Sequence, residues 1–407
     1  MPSFLRRASR CLVLFLLIGT YADAATIHWN LDSLVQIEGP SGYGRIIRLQ
    51  DDSLLAAYSR GLKTWVKKSA DDGRTWGDRI VAGEAVYIAT NAELLQLQNG
   101  TILHLFNDRP SNGVDPFAIR LAKSTDGGLT WSSPELVYQA GVTSGTGCWE
   151  PAAIQLPSGE IQLFFANEAR YATTSEQEIT MVRSYDNAAT WTAPETVSFR
   201  AGHRDGMPVP LILADGQGIV VAIEDNGVTN NGTFKPSIIY TSMEDNWHLP
   251  YADGNSDRRW TAIEPPLDAG INAAAPYLAQ LPSGETFLSV QDSEFGRRLM
   301  SVFVGDSLAQ NFSDGTRPFE FMSDGAENLW CSLFAKDDQT VTAVAGIVKL
   351  DGTNLGLWAI DGHYAVPEPS TFTALAGAAA VAGAAGPRPG RQPAASAAQP
   401  VRRGPQG

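Results

Sequence analysis

One pattern recurs six times along the chain and limits what it can fold into: an apolar strand, a tight turn, a second apolar strand. The copies read RIIRLQDDSLLAAYS from Arg45, ELLQLQNGTILHLFND from Glu93, AAIQLPSGEIQLFFANE from Ala152, PLILADGQGIVVAIED from Pro210, PYLAQLPSGETFLSVQD from Pro276 and CSLFAKDDQTVTAVAG from Cys331. Two-residue turns are expected at Asp51-Asp52, Asn99-Gly100, Ser158-Gly159, Asp215-Gly216, Ser283-Gly284 and Asp337-Asp338, where Gly, Asn and Asp supply positive φ. The flanking strands are apolar at nearly every position, as in strands buried on both faces. A lone hairpin of this kind is not stable in water. Six of them stacked radially bury one another. No helical periodicity competes. The reading is all-β: a six-bladed β-propeller.

A second element follows the first three hairpins. It reads S-x-D-x-G-x-T-W at Ser69–Trp76 and Ser124–Trp131, and at Ser184–Trp191 with Ala188 in place of Gly. Residues 242–247 (SMEDNW) look like a decayed fourth copy. The Asp carboxylate accepts backbone N–H groups, Gly permits the left-handed turn, and Trp staples the turn to the blade. Asp71, Asp126, Asp186, Trp76, Trp131 and Trp191 are therefore assigned to structure, since a feature repeated blade after blade serves the repeat. These segments resemble the Asp-boxes of the sialidase superfamily and its BNR-repeat propellers, which implies a sialidase-like ring.

Hairpin geometry divides the ring into two faces. The turns lie on one, so residues just before each first strand and just after each second strand lie on the other. That second face is rich in polar and aromatic types, including Arg45, Asn91, Arg109, Trp149, Glu168, Gln177, Arg204, Asp205 and Trp330. Glu150 and Glu224 sit flush against apolar strands (CWEPAAIQL, IVVAIED), where desolvation shifts a carboxyl. Paired carboxylates across a cleft are what glycoside hydrolysis needs, and the surrounding Trp, Arg, Asn and Gln suit a neutral sugar. The net charge of −14 argues against nucleic-acid partners. No His/Cys spacing suggests a metal site, and no cofactor is implied.

The stretches NAELLQLQNGTI, GCWEPAAIQLPSGEIQLFFANE, EQEI, RDGMPV and VVAIED resemble the exo-1,5-α-L-arabinanases of glycoside hydrolase family 93, over roughly residues 40–230. Those are retaining propellers that release arabinobiose from arabinan ends. The resemblance implies Glu150 as acid/base and Glu224 as nucleophile, about 5 Å apart. It implies Arg45, Asn91, Arg109, Glu168, Gln177, Arg204 and Asp205 as substrate contacts. Trp149 and Trp330 are expected beside them. An exo-α-sialidase is the alternative enzyme: Arg45, in GRIIRL, stands where the first arginine of the carboxylate-binding triad falls, with Arg204 and Arg297 as candidates for the others. Against it, Ile47 replaces a proline, and Trp330 stands where a nucleophilic tyrosine is expected. A non-catalytic carbohydrate-binding propeller is the third reading.

The ends differ from the body. Arg6, Arg7 and Arg10 precede an apolar run, Cys11 to Ile18, and Ala22-Asp23-Ala24 fits a cleavage site, so residues 1–24 read as a signal peptide. Val366-Pro367-Glu368-Pro369-Ser370, an Ala/Gly-rich apolar run and scattered arginines resemble the PEP-CTERM sorting signal of bacterial envelope proteins. That resemblance implies processing by an exosortase. The expected division is signal 1–24, propeller 25–364 and sorting tail 365–407, in a secreted or envelope protein acting as a monomer on an oligo- or polysaccharide. Cys148 and Cys331 are expected as buried free thiols.

Overall fold

Each apolar hairpin forms the first two strands of its own antiparallel sheet, and six such sheets make up the ring. The computed structural model describes residues 26–365; the segments expected to be a signal peptide and a sorting tail lie outside the described residues. The first two strands are Gly42–Arg48 and Leu54–Arg60 in blade 1, and Ile88–Gln96 and Ile102–Arg109 in blade 2. Blade 3 has Cys148–Gln155 and Ile161–Asn167, and blade 4 has Asp205–Ile212 and Gly218–Asp225. Blade 5 has Ala273–Gln280 and Thr286–Asp292, and blade 6 has Ala326–Ala335 and Thr340–Lys349. No α-helix occurs among the described residues. First strands pack neighbour to neighbour around the ring, and Ala326–Ala335 returns to Gly42–Arg48. The ring is closed by a strand taken out of chain order: Thr26–Trp29 is an outer strand of blade 6, pairing Thr26 with Ala365 and Trp29 with Gly362.

Burial follows from this stacking. Blade 3 is apolar on both faces, with Phe164 facing Ile179, Val221 and Ile239 and Phe165 facing Leu105 and Ile119. Each such fully buried side chain contributes about 2–3 kcal/mol. Polar staples also join the blades. On the turn face, the Gln96, Gln155 and Gln280 side chains accept the backbone N–H groups of Gln50, Gln98 and Ala214 in the preceding blade, at 2.8, 2.7 and 2.7 Å.

Five of the hairpin turns are one residue longer than the sequence suggests, and the blade 4 turn, closed by Leu213 N–H to Gly218 O, is two residues longer. Leu97 N–H donates to Thr101 O and Gly100 N–H to Leu97 O, and Gly100 sits at φ +87°. This is a type I turn closed by a left-handed residue. Asp52, Gly159, Gly216 and Gly284 hold the same place with positive φ, whereas the Asp337-Asp338 turn has no such residue.

In the three Asp-boxes, Asp71, Asp126 and Asp186 accept the Thr75, Thr130 and Thr190 N–H groups at 2.8–2.9 Å, and each accepts a serine hydroxyl at 2.8 Å. Those hydrogen bonds, led by the threonine hydroxyls, hold all three carboxyls down at about 2. Their bonding is spent inside the turns.

First strands begin three to five residues ahead of the apolar runs, at Gly42, Ile88, Cys148, Asp205, Ala273 and Ala326. The reason is a β-bulge in every blade. One extra residue is inserted between Gly42 and Arg45, Thr90 and Glu93, Trp149 and Ala152, Gly206 and Val209, Ala274 and Tyr277, and Leu329 and Ser332. The first bulged residue is left-handed in all six: Tyr43, Asn91, Glu150, Met207, Ala275 and Trp330, with φ between +47° and +56°.

Candidate active site

A non-glycine residue held left-handed costs about 1–2 kcal/mol, and bulges re-aim side chains at sheet rims. Here the six bulges turn one side chain per blade toward the centre of the ring. Tyr43, Met207 and Ala275, from three different blades, pack on one another. Asn91, Glu150 and Trp330 join Tyr43 in lining a cavity of about 510 Å³ on the face away from the hairpin turns. Trp149, Arg109, Glu168, Gln177, Arg204 and Glu224 complete its polar wall.

Glu150 projects beside Arg109, whose Nη2 lies 3.6 Å from Oε1. Burial pushes the Glu150 carboxyl up to about 7; Arg109 opposes this, and the charges of Glu224 and Glu168 reinforce it. Glu224 is also raised by burial, against the pull of a backbone N–H and of Arg204. That N–H belongs to Ala275 in the next blade and donates to Oε2 at 3.0 Å. It fixes one carboxylate oxygen and leaves the other beside Gly206 and the Gln177 amide. A Cβ on Gly206 would stand 2.8 Å from Glu224 Oε1 and 2.9 Å from Gln177 Oε1, so any larger residue there would displace the Glu224 carboxylate or the Gln177 amide.

The remaining polar groups form a connected rim. Arg109 donates to Asn91 Oδ1 and lies over the Trp149 ring at 4.6 Å. Trp149 Nε1 donates to Glu168 Oε2 at 2.9 Å. Glu168 Oε1 accepts from Arg204 and, at 3.4 Å, from Gln177. Trp330 is the most open member, 39% exposed, with its ring 6.1 Å from that of Tyr43.

Two expected substrate contacts lie elsewhere. Arg45 is 1% exposed. Its guanidinium lies 4.0 Å from the centre of the Tyr43 ring and 4.7 Å from that of Tyr277, and it pairs with buried Glu93 at 3.2 Å. Asp205 is fully buried, bonded through both oxygens to Arg259 at 2.7 and 2.6 Å. Arg259 also ties Asp225, the residue after Glu224, so the three make an ion-paired lock under the wall. A buried ion pair of this kind is a scaffold. The sequence reading also missed Ser59, Thr90, Ser144, Gly346 and Asn354 on the cavity wall. Cys148 and Cys331 are free, and burial raises both thiols.

Residues 111–306 match the family model described as a BNR repeat-like domain. No functionally curated protein matches the sequence. Among solved structures, the family 93 α-L-arabinofuranosidase of Fusarium graminearum bound to arabinobiose is 19% identical, with TM-score 0.65, covering 81% of this chain and 97% of its own. The α-L-arabinanase of Penicillium chrysogenum, also bound to arabinobiose, is 18% identical with TM-score 0.65, covering 83% and 98%. A sialidase of Streptococcus pneumoniae is 11% identical with TM-score 0.55, covering 82% and 70%. At these identities the likeness is one of fold. The chain is a six-bladed propeller in which residues 111–306 match the BNR repeat-like model, and its fold is similar to those of a family 93 arabinofuranosidase, an arabinanase and a sialidase.

Proposed function

We propose that the protein is an exported glycoside hydrolase that cleaves a neutral, arabinan-like polysaccharide from its chain ends with retention. The observation that carries this reading is the pair Glu150 and Glu224: both line one cavity, and they differ in how they are held. Glu150, with its carboxyl near 7, is about half protonated at neutral pH and so can serve as acid, then as base. Glu224, with one oxygen fixed by Ala275, presents the other as nucleophile. In a double displacement it attacks the anomeric carbon while Glu150 protonates the leaving oxygen. Water activated by Glu150 then releases the sugar, and the geometry calls for carboxyls about 5 Å apart. Trp330 and Trp149 offer ring faces to the sugar, and Arg109, Asn91, Gln177 and Arg204 its hydrogen bonds.

A sialidase reading fits less well. Its substrate carboxylate needs a free arginine, and Arg45 is closed off by Tyr43, Tyr277 and Glu93. Trp330 supplies no nucleophilic oxygen. The test is to incubate the purified protein with linear α-1,5-arabinan, para-nitrophenyl arabinofuranoside and sialyllactose. Short arabino-oligosaccharides are expected from arabinan and no product from sialyllactose. Binding of arabinan without any release would favour the carbohydrate-binding propeller instead.

A further inference from the structure

We propose that Asn107, on blade 2, is a positioning residue for Glu150 on blade 3. Its amide grips the backbone on both sides of Trp149, just before the carboxyl projects. The inference rests on the catalytic reading of Glu150. Asn107 is fully buried at the end of a second strand, opposite Thr90. Its Oδ1 accepts the Glu150 N–H at 2.8 Å, and its Nδ2 donates to Cys148 O at 2.7 Å. A single planar group thus fixes the peptide entering the bulge and the N–H of the left-handed residue itself.

The repeat shows that this contact is a device and not an accident of one interface. Opposite the residue before each bulge stand Ser59, Asn107, Ala166, Glu224, Gln291 and Gly346. The three with side chains long enough to bear an amide or carboxyl all reach the next blade's bulge. Asn107 takes the N–H of Glu150, Glu224 that of Ala275, and Gln291 that of Trp330, the last at 2.9 Å. The two proposed catalytic carboxyls therefore occupy the two ends of one recurring contact. Glu150 is the residue held, and Glu224 is a holder with a spare oxygen. Without the Asn107 oxygen, the Glu150 N–H is left unpaired in a conformation that already strains an L residue. The bulge would then relax, carrying the carboxyl away from Arg109 and out of its desolvated place.

The experiment compares Asn107→Ala with Gln291→Ala, which removes the same kind of bond from the Trp330 bulge. Asn107→Asp keeps an acceptor for the Glu150 N–H and guards against a variant that does not fold. Two readouts are taken: arabinan kinetics against pH, and a 13C NMR titration of labelled glutamate carboxyls, with the Glu150 resonance assigned by its loss in Glu150→Gln. Asn107→Ala is expected to lower kcat about 10- to 100-fold with KM within about twofold. It should move the Glu150 titration down from about 7 by about one unit or more. Asn107→Asp should recover most of the turnover. Gln291→Ala should leave the Glu150 titration in place. An Asn107→Ala protein whose Glu150 titrates as in the wild type overturns the inference, as does an equal shift in Gln291→Ala. A wild-type protein that hydrolyses nothing sinks the catalytic reading instead, and the titration still decides whether Asn107 positions Glu150.

Discussion

At the scale of single residues, the proposed acid/base costs the fold stability. A carboxyl raised from 4.5 to about 7 by burial is a folding penalty once it ionises. Stability is unaffected below the unfolded value, falls as pH rises toward 7, and is lower by about 3 kcal/mol above it. Glu150→Gln should thus abolish turnover yet raise stability at pH 8 by about 1–3 kcal/mol, read by urea melts. A melt unchanged or weakened at pH 8 would contradict the burial argument. His104 supplies a second pH effect, at the interface of blades 1 and 2. It is fully buried, 2.7 Å from the Thr64 hydroxyl, and burial holds it at about 3, so it stays neutral in the folded protein. Below pH 6.5 the unfolded chain takes up a proton that the folded chain refuses until about 3. Stability should therefore fall by about 1.4 kcal/mol per pH unit from this residue alone. Urea melts from pH 7 to 4 should show a shallower loss in His104→Gln; equal slopes would contradict it.

At the scale of elements, the hairpin and its bulge decide what could be read from sequence. That Glu150 and Glu224 line one cavity was legible because both carboxyls sit against apolar strands on the face away from the hairpin turns. Arg45 was misplaced for the opposite reason. Its local sequence cannot reveal that Tyr277, from blade 5, lies over its guanidinium. Asp205 was misplaced because its partner Arg259 comes 54 residues later, on an outer strand. The bulges themselves leave no sequence mark, since Tyr, Asn, Glu, Met, Ala and Trp share no turn propensity; only the common register reveals them. Asn107 was missed with them. The turn-face staples belong to this scale as well. Gln155→Ala removes the acceptor for the Gln98 N–H, far from the cavity. It should cost about 1–2 kcal/mol of stability while leaving kcat and KM unchanged. A changed kcat would mean that the two faces of the ring are coupled.

At the scale of the whole molecule, six blades were legible from six hairpins, but the closure was not. Four residues, Thr26–Trp29, carry too little pattern to be recognised as a strand. They pair along Asn354–Ala365, bury Ile27 in the core between blades 5 and 6, and donate from Trp29 Nε1 to Thr316 at 3.0 Å. The chain then runs through Val35–Glu38, also paired with blade 6, where Glu38 accepts the Tyr58 hydroxyl of blade 1 at 2.9 Å; the cavity takes Trp330 from blade 6 and Tyr43 from blade 1. Ile27→Asp should lower the melting temperature by on the order of 10 °C, with KM rising before turnover is lost. An unchanged melt would show that the ring holds without its terminal strand.

The anomeric configuration of the first sugar released bears most directly on the pairing of Glu150 with Glu224. Proton NMR of an arabino-oligosaccharide digest, recorded before mutarotation, reads it. Carboxyls set for double displacement give the α-anomer first. Initial appearance of the β-anomer would mean that water attacks the sugar directly, and that Glu224 is not the nucleophile.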